Sequence, residues 1–326
     1  MAKMNMVQAL NLALQQEMAK DDRIVLLGED VGVDGGVFRV TDGLIDTFGK
    51  DRVLDTPLAE SAIAGMSIGM AIYGLRPICE IQFSGFSYQC FHQMENHAAR
   101  LRWRSQGRLT VPMVMRAPYG GGVRALEHHS ESREIYWAHT PGLKMVIPSG
   151  PRNARALMVS AIRDPDPVVF YEAKALYRAF REEVPEEEET LPIGQSQIIR
   201  EGKDLTMIAY GAMIRPTLEA AEELRASDGV ETEVIDLLTI SPLDDSLMVQ
   251  SVTKTGRAVV VHEAPRTFGS GAEIISRLME GAFHYLEAPI ARVTGFDVII
   301  PYFSREKWYL PSVKRIVEAA RRTLAA

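Results

Sequence analysis

A single acid, Glu60, stands where the loop Asp55-Thr56-Pro57-Leu58-Ala59 runs into an apolar stretch, Ser61 through Met70, whose composition predicts a helix. Apolar on nearly every face, that helix is expected to be surrounded by protein, which leaves the carboxylate in a dry place where it can share a proton. The plainer alternative is that Glu60 caps the helix, and spacing alone favours it. A second candidate is the loop Gly120-Gly121-Gly122-Val123-Arg124-Ala125-Leu126-Glu127-His128-His129-Ser130. Its glycines permit backbone geometry closed to other residues, and its imidazoles titrate near neutrality and can carry protons, although a lone histidine is more often structural. A third is Gln82-Phe83-Ser84-Gly85-Phe86-Ser87-Tyr88, whose aromatic faces suit a ligand ring, with core packing the simpler reading. Gly65 and Gly69, four apart on the apolar helix, let a second backbone approach closely, and helix packing across a subunit boundary is expected there.

These segments need a frame. Helical spacing over residues 5–19 leads into the short apolar run Ile24 to Leu27. Further buried-type strands are read at Arg76 to Ile81, Val111 to Arg116, Lys144 to Ile147 and Val168 to Tyr171, with helices at Ser87 to Arg104 and Asn153 to Ile162. Strands interleaved with helices imply a parallel sheet covered on both faces, with sites at the carboxyl ends of strands. Three loops fall at such ends: Gly28 to Gly36, Gln82 to Tyr88 and Ala117 to Ser132. Residues 182–192, acidic and punctuated by Pro185 and Pro192, read as a linker. Beyond it, strands at Leu205 to Tyr210, Glu233 to Asp236, Ala258 to His262 and Ile290 to Val293 alternate with helices near Pro216 to Ala226, Ala272 to Met279 and Val313 to Thr323. The expected organisation is an α/β domain at 1–181, the linker at 182–192 and a second α/β domain at 193–326.

The 326 residues suffice for two cores, since single cores stop growing near about 250 to 300 residues. With 46% apolar residues, no run approaching the ~20 residues of a membrane span and no signal-peptide pattern, a soluble cytoplasmic protein is expected, or a matrix protein if eukaryotic, with no membrane partner. The net charge of −7 and scattered basic residues argue against nucleic acid. Cys79 and Cys90 are expected to be packed, reduced thiols. Gly32 to Gly36 lacks the spacing of a dinucleotide fingerprint, and the seven histidines and two cysteines show no zinc-ligand spacing.

Gly28-Glu29-Asp30-Val31-Gly32, the Asp55 to Ser61 segment, Glu80-Ile81-Gln82-Phe83, His129-Ser130, Pro141-Gly142-Leu143-Lys144, the Glu182 to Pro185 linker, Tyr210-Gly211-Ala212 and Pro301-Tyr302 occur in this order. Together they resemble, over essentially the whole chain, the β subunits of thiamin-dependent 2-oxo acid dehydrogenases. The resemblance implies a thiamin-diphosphate-binding (pyrimidine-type) parallel-sheet domain followed by a transketolase C-terminal-like α/β domain. It implies that Glu60 bonds ring nitrogen N1′ of the cofactor's aminopyrimidine and so favours the basic imino tautomer, that Phe86 packs on the ring, and that Leu58 and Gln82 lie beside it. His129 then serves acyl transfer to the lipoyl group of a dihydrolipoyl acyltransferase, with neighbouring His128 as the other candidate. Main-chain oxygens of Met113, Ala161, Ile162, Asp164 and Asp166 correspond to a structural potassium site, although relatives often carry asparagine in place of Asp166.

The segment that holds magnesium and diphosphate in thiamin enzymes is missing, so a separate α subunit is implied to supply it in an α2β2 tetramer, leaving the isolated chain inactive. The second domain is implied to build the β/β contact and to dock the acyltransferase's subunit-binding domain. Phe86, where branched-chain enzymes often have tyrosine, points to pyruvate as the small 2-oxo acid substrate. The alternatives are a branched-chain 2-oxo acid (2-oxoisovalerate) or acetoin dehydrogenase β subunit and, from another class, a noncatalytic scaffold subunit.

Overall fold

The computed structural model describes residues 1–326. After β1 (Ala2–Met4), α1 (Met6–Lys20) opens on a reciprocal cap in which the Gln8 N–H donates to the Asn5 side chain and the Asn5 N–H to the Gln8 side chain. Two amides that a helix start leaves unpaired are thereby satisfied. Next come β2 (Ile24–Gly28), α2 (Leu44–Phe48), β3 (Val53–Asp55), α3 (Glu60–Ile72) and β4 (Arg76–Glu80). The first half closes with β5 (Val114–Tyr119), β6 (Lys144–Val146), β7 (Val168–Ala173) and β8 (Glu182–Val184). The second half holds β9 (Gln197–Arg200), β10 (Leu205–Ala209), β11 (Thr232–Asp236), β12 (Thr239–Ser241), β13 (Ala258–Val261) and β14 (Ala291–Val293).

Seven strands form one sheet in the order β12-β6-β7-β5-β4-β2-β3, five form another as β14-β13-β10-β11-β9, and β1 pairs with β8. Only the edge strands β12 and β9 break the parallel order of the two large sheets. Strands such as Ile24–Gly28 are buried at every position, which a sheet covered on both faces requires. One continuous core of 78 buried residues joins the two halves. Across that junction the buried Tyr210 hydroxyl donates to Glu134 Oε1 at 2.6 Å, and burial pushes the Glu134 carboxyl up to about 7.

Two local differences from the sequence reading have physical causes. The strand expected from Val111 begins at Val114, because Pro112 has no N–H to give to a ladder. The helix expected over 87–104 is instead a 3-10 segment (Ser84–Cys90), a short α-turn (Phe91–Gln93), a π segment (Met94–Ala98) and an α-turn (Ala99–Arg104). Within the acidic stretch 182–192, Glu182–Val184 is β8, and the following charges rest on basic side chains of the first half. Glu188 meets Lys20 and Arg163, and Glu189 meets Arg152.

Candidate active site

The register of β3, β2 and β4 sets Asp55, Gly28 and Glu80 side by side at their carboxyl ends. Loops leaving that row carry Glu29, Glu60 and Gln82, and the loop after neighbouring β5 carries the two histidines. Asp55 fastens the first loop by accepting from Gly32 N at 2.6 Å and Val33 N at 3.1 Å. Glu60 is the first residue of α3, whose N-cap is Ala59, and no side chain caps this helix. The capping alternative therefore does not account for its carboxylate. Glu60 is 3% exposed, and its Oε2 is buried without a partner in the chain. Nearby Glu29 is equally buried with an unpartnered Oε1, and burial first, then the charge of Glu60, push its carboxyl above the ordinary range. Each orphaned buried polar atom costs on the order of 1–3 kcal/mol, so two together mark a place built to meet a ligand's donors.

Beside the acids lies an aromatic cluster. Phe83 meets His129 edge-on at 4.2 Å between ring centres, Phe86 meets His129 at 5.4 Å, and Phe83 and Phe86 meet at 5.8 Å. His128 stacks on His129 at 5.6 Å but is half exposed and 3.3 Å from Glu127. The Nδ1 of His129 is buried and unpartnered. Burial, then the charges of His128 and Lys174, lower its proton affinity against the opposing pull of Glu127, which favours the neutral imidazole. Both rings meet Phe86, His128 at 5.9 Å, but only His129 also meets Phe83, and His128 is the more exposed of the two. Gln82 donates from Nε2 to Asp30 Oδ2 at 2.9 Å.

Leu58 stands apart, 77% exposed on the loop before α3. An open cleft of about 720 Å³ runs from it along the outer side of α3 past Ala62, Met66 and Gln93. Gly69 has nothing within 4 Å of where a side chain would begin, and Tyr73 at the helix end is 90% exposed. The helix expected to be surrounded by protein is therefore bare on one side, because this chain has no element to cover it.

Beneath the loops, Arg116 donates to Glu80 at 2.7 Å and to Glu172 at 2.7 and 2.9 Å, and Tyr177 donates to Glu172 at 2.7 Å, all buried. Burial works against the Arg116 charge, and the two carboxylates outweigh it and raise its proton affinity. Sequence reasoning missed this network, although charged letters inside the apolar runs Arg76–Glu80 and Val114–Tyr119 were its signal.

Met113, Ala161, Ile162, Asp164 and Asp166 gather at the opposite, amino edge of the sheet, remote from these loops. There Arg76 donates to the Ile162 and Asp164 carbonyls at 2.7 and 3.3 Å, and the Ala161 and Met113 carbonyls accept from Asp164 and Val168. The Asp164 and Asp166 carboxylates are engaged by Lys144 and Arg102. No group of three or more His, Cys, Asp or Glu side chains is arranged to hold a metal ion.

Residues 2–179 match the transketolase pyrimidine-binding domain, and residues 194–316 match the transketolase C-terminal domain. Pyruvate dehydrogenase E1 component subunit β of Staphylococcus epidermidis is 52% identical over 324 residues, covering 99% of both chains. That of Staphylococcus aureus is 51% identical over the same span. The chain belongs to the family of thiamin-dependent 2-oxo acid dehydrogenase β subunits. Its fold is the transketolase-like pair of a pyrimidine-type parallel-sheet domain and a C-terminal α/β domain. A split-gene transketolase described as an inactive β4 tetramer shares that fold, with a TM-score of 0.80 over 99% of each chain at 22% identity. Thiamin diphosphate is the cofactor of this family, and the residues at the carboxyl edge fit its heterocycle. Glu60 Oε2 is a buried oxygen without a partner, suited to meet a ring nitrogen, and Phe83 and Phe86, just after neighbouring β4, offer apolar ring faces.

Proposed function

We propose that this chain is the β subunit of a pyruvate dehydrogenase E1 component. With a separate α subunit it would decarboxylate pyruvate and pass the acyl group to the lipoyl group of a dihydrolipoyl acyltransferase. The observation that carries this reading is Glu60, a buried acid with one oxygen unsatisfied, at the carboxyl edge of the sheet and beside an uncovered helix face. When bound, thiamin diphosphate supplies the nucleophilic carbon and the electron sink for decarboxylation. Glu60 would set its unpartnered Oε2 against a nitrogen of the bound ring, so that a proton could be shared between the two in a site closed to water. Phe86, with Gln82 nearby, would pack on the ring and exclude water, and Leu58, exposed in this chain, would join them once the α subunit covers it. His129, whose proton affinity burial lowers, would accept or return a proton during acyl transfer, and half-exposed His128 is the less suitable of the two.

The diphosphate and its magnesium are assigned to the α subunit, in an α2β2 assembly that covers Leu58 and the outer side of α3. Potassium is assigned a structural place on the main-chain oxygens of Met113, Ala161, Ile162 and Asp164 and on Asp166. These are hard oxygen donors, and each carbonyl engaged by one hydrogen bond keeps a second lone pair. The two free, buried cysteines suit a reducing, cytoplasmic setting. Pyruvate is preferred to branched-chain acids and acetoin because the named relatives are pyruvate dehydrogenase subunits and residue 86 is phenylalanine.

The test is reconstitution. The purified chain alone is expected to release no carbon dioxide from pyruvate, and the co-expressed αβ complex is expected to release it in the presence of thiamin diphosphate and magnesium. Appreciable turnover by the chain alone, or faster turnover of 2-oxoisovalerate or acetoin by the complex, would refute this assignment.

A further inference from the structure

The loop that carries both histidines is closed at its neck, where the Gly120 N–H donates to the Glu131 carbonyl at 3.0 Å. It is also held from the second lobe by a buried acid that the chemistry above does not use. Glu263, two residues past β13, is 4% exposed. Its Oε1 accepts from the Gly121 N–H at 2.8 Å and from the Ser132 hydroxyl at 2.6 Å, so one oxygen ties the two ends of the loop together. Gly120 lies directly against that carboxylate with a φ of +81°, a position that favours glycine twice over, for its backbone conformation and for lack of room. From the first lobe, buried Lys174 donates to the Gly120 carbonyl at 2.6 Å. Glu306, also buried and also from the second lobe, accepts from the Arg124 N–H at 3.0 Å.

We propose that Glu263 is a positioning residue for His129: by pinning both ends of loop 120–132, the second lobe sets where the imidazole stands against Phe83 and Phe86. This rests on the reading of His129 as the proton carrier of acyl transfer. The physical case is one of entropy. A glycine-rich turn of this length is mobile unless its ends are tied, and closing it with buried, charge-assisted bonds removes the freedom that would otherwise let the ring wander. Placement errors near 1 Å are enough to slow a proton transfer about a hundredfold. Burial pushes the Glu263 carboxyl up and the Lys174 ammonium down to about 8, and their mutual attraction opposes both shifts only in part.

The experiment uses the co-purified αβ complex carrying E263L, E263Q, S132A or H129A, with amide hydrogen exchange of residues 121–132 and the rate of acyl transfer to an isolated lipoyl domain as readouts. E263L is expected to speed exchange in the loop at least tenfold and to lower kcat for transfer at least tenfold at unchanged KM. E263Q keeps the acceptor oxygen and is expected to stay within threefold of wild type in both. Wild-type exchange in E263L, or equal damage from E263L and E263Q, overturns the proposal. If E263L does not assemble, S132A decides, because it removes one of the two donors: faster exchange with a two- to tenfold slower transfer supports the clamp, and no change in either sinks it. If H129A transfers acyl groups at the wild-type rate while loop exchange responds as expected, the clamp stands and the role given to His129 falls.

Discussion

Glu60→Gln isolates one proton, and the structure indicates what else the change leaves alone. Glutamine has the same shape, and the bond that Glu60 makes to a neighbour runs through its main-chain oxygen, which accepts from Cys90 Sγ at 3.2 Å and is unaffected. At the first position of α3 the lost charge forgoes about 0.3–1 kcal/mol of helix-dipole stabilisation. Against this, removing it relieves Glu29, whose carboxyl is pushed up first by burial and second by Glu60. A raised acid binds its proton more tightly folded than unfolded, so its presence lowers stability as pH rises from its ordinary value through the raised one. The variant should therefore lose less stability than wild type across that window, and its Tm at pH 7 should stay within about 4 °C of wild type. Catalysis behaves differently: losing a positioned proton carrier costs about 10²- to 10⁴-fold, or about 2.7–5.4 kcal/mol of barrier. The assay is kcat for pyruvate decarboxylation by the assembled complex at saturating cofactor with an oxidised lipoyl domain as acceptor, beside a thermal melt of the same sample. A kcat within threefold of wild type would refute the role given to Glu60 and favour a scaffold subunit.

Arg116→Met strands two buried carboxylates, Glu80 and Glu172, and should cost about 3–5 kcal/mol in a urea titration of the chain, whereas a loss under 1 kcal/mol would mean the acids find other partners. Gly85→Ala drives a methyl group into the main-chain carbonyl of His128, so the histidine turn must shift. Acyl transfer should fall at least tenfold with Tm lowered by only a few degrees, and unchanged transfer would show that the turn has slack. Replacing potassium by choline at equal ionic strength should lower the Tm of the complex by a few degrees, and equal melts would show that Arg76 and Lys144 satisfy the amino-edge oxygens unaided.

The alternation of buried strands and helices was legible because short, mostly apolar runs bounded by turns leave few other readings, as at Ile24–Gly28 and Leu205–Ala209. Three-residue strands such as Val53–Asp55 and Thr239–Ser241 carry no periodicity, and tertiary pairing alone makes them strands. The same asymmetry holds at the site. Phe86 and His129 could be picked out because each follows closely on a strand, where the fold class itself says to look, and Glu60 because it is the one acid at the entry to an apolar helix. Glu263 could not, since its partner Gly121 is 142 residues away and nothing in the run Ala258–Val261 marks the acid that follows it as different from any surface glutamate. Arg116 and Glu80, 36 residues apart, were half visible as charges inside apolar strands, though their pairing was not.

Glu60 and the bare side of α3 belong to one argument. A carboxyl shares a proton with a ring nitrogen only where water does not compete for it, and within this chain Glu60 is sheltered on its inner side while Leu58, Met66 and Tyr73 lie open on the outer. Covering those three residues gains the hydrophobic stabilisation that draws a partner in, at about 25 cal/mol for each Å² of apolar surface removed from water. In the proposed assembly the same cover would complete the exclusion of water from the acid and bring whatever grips the diphosphate. Assembly and activation are then one event: a partner that left the outer side of α3 wet would leave Glu60 intact and still give a slow enzyme.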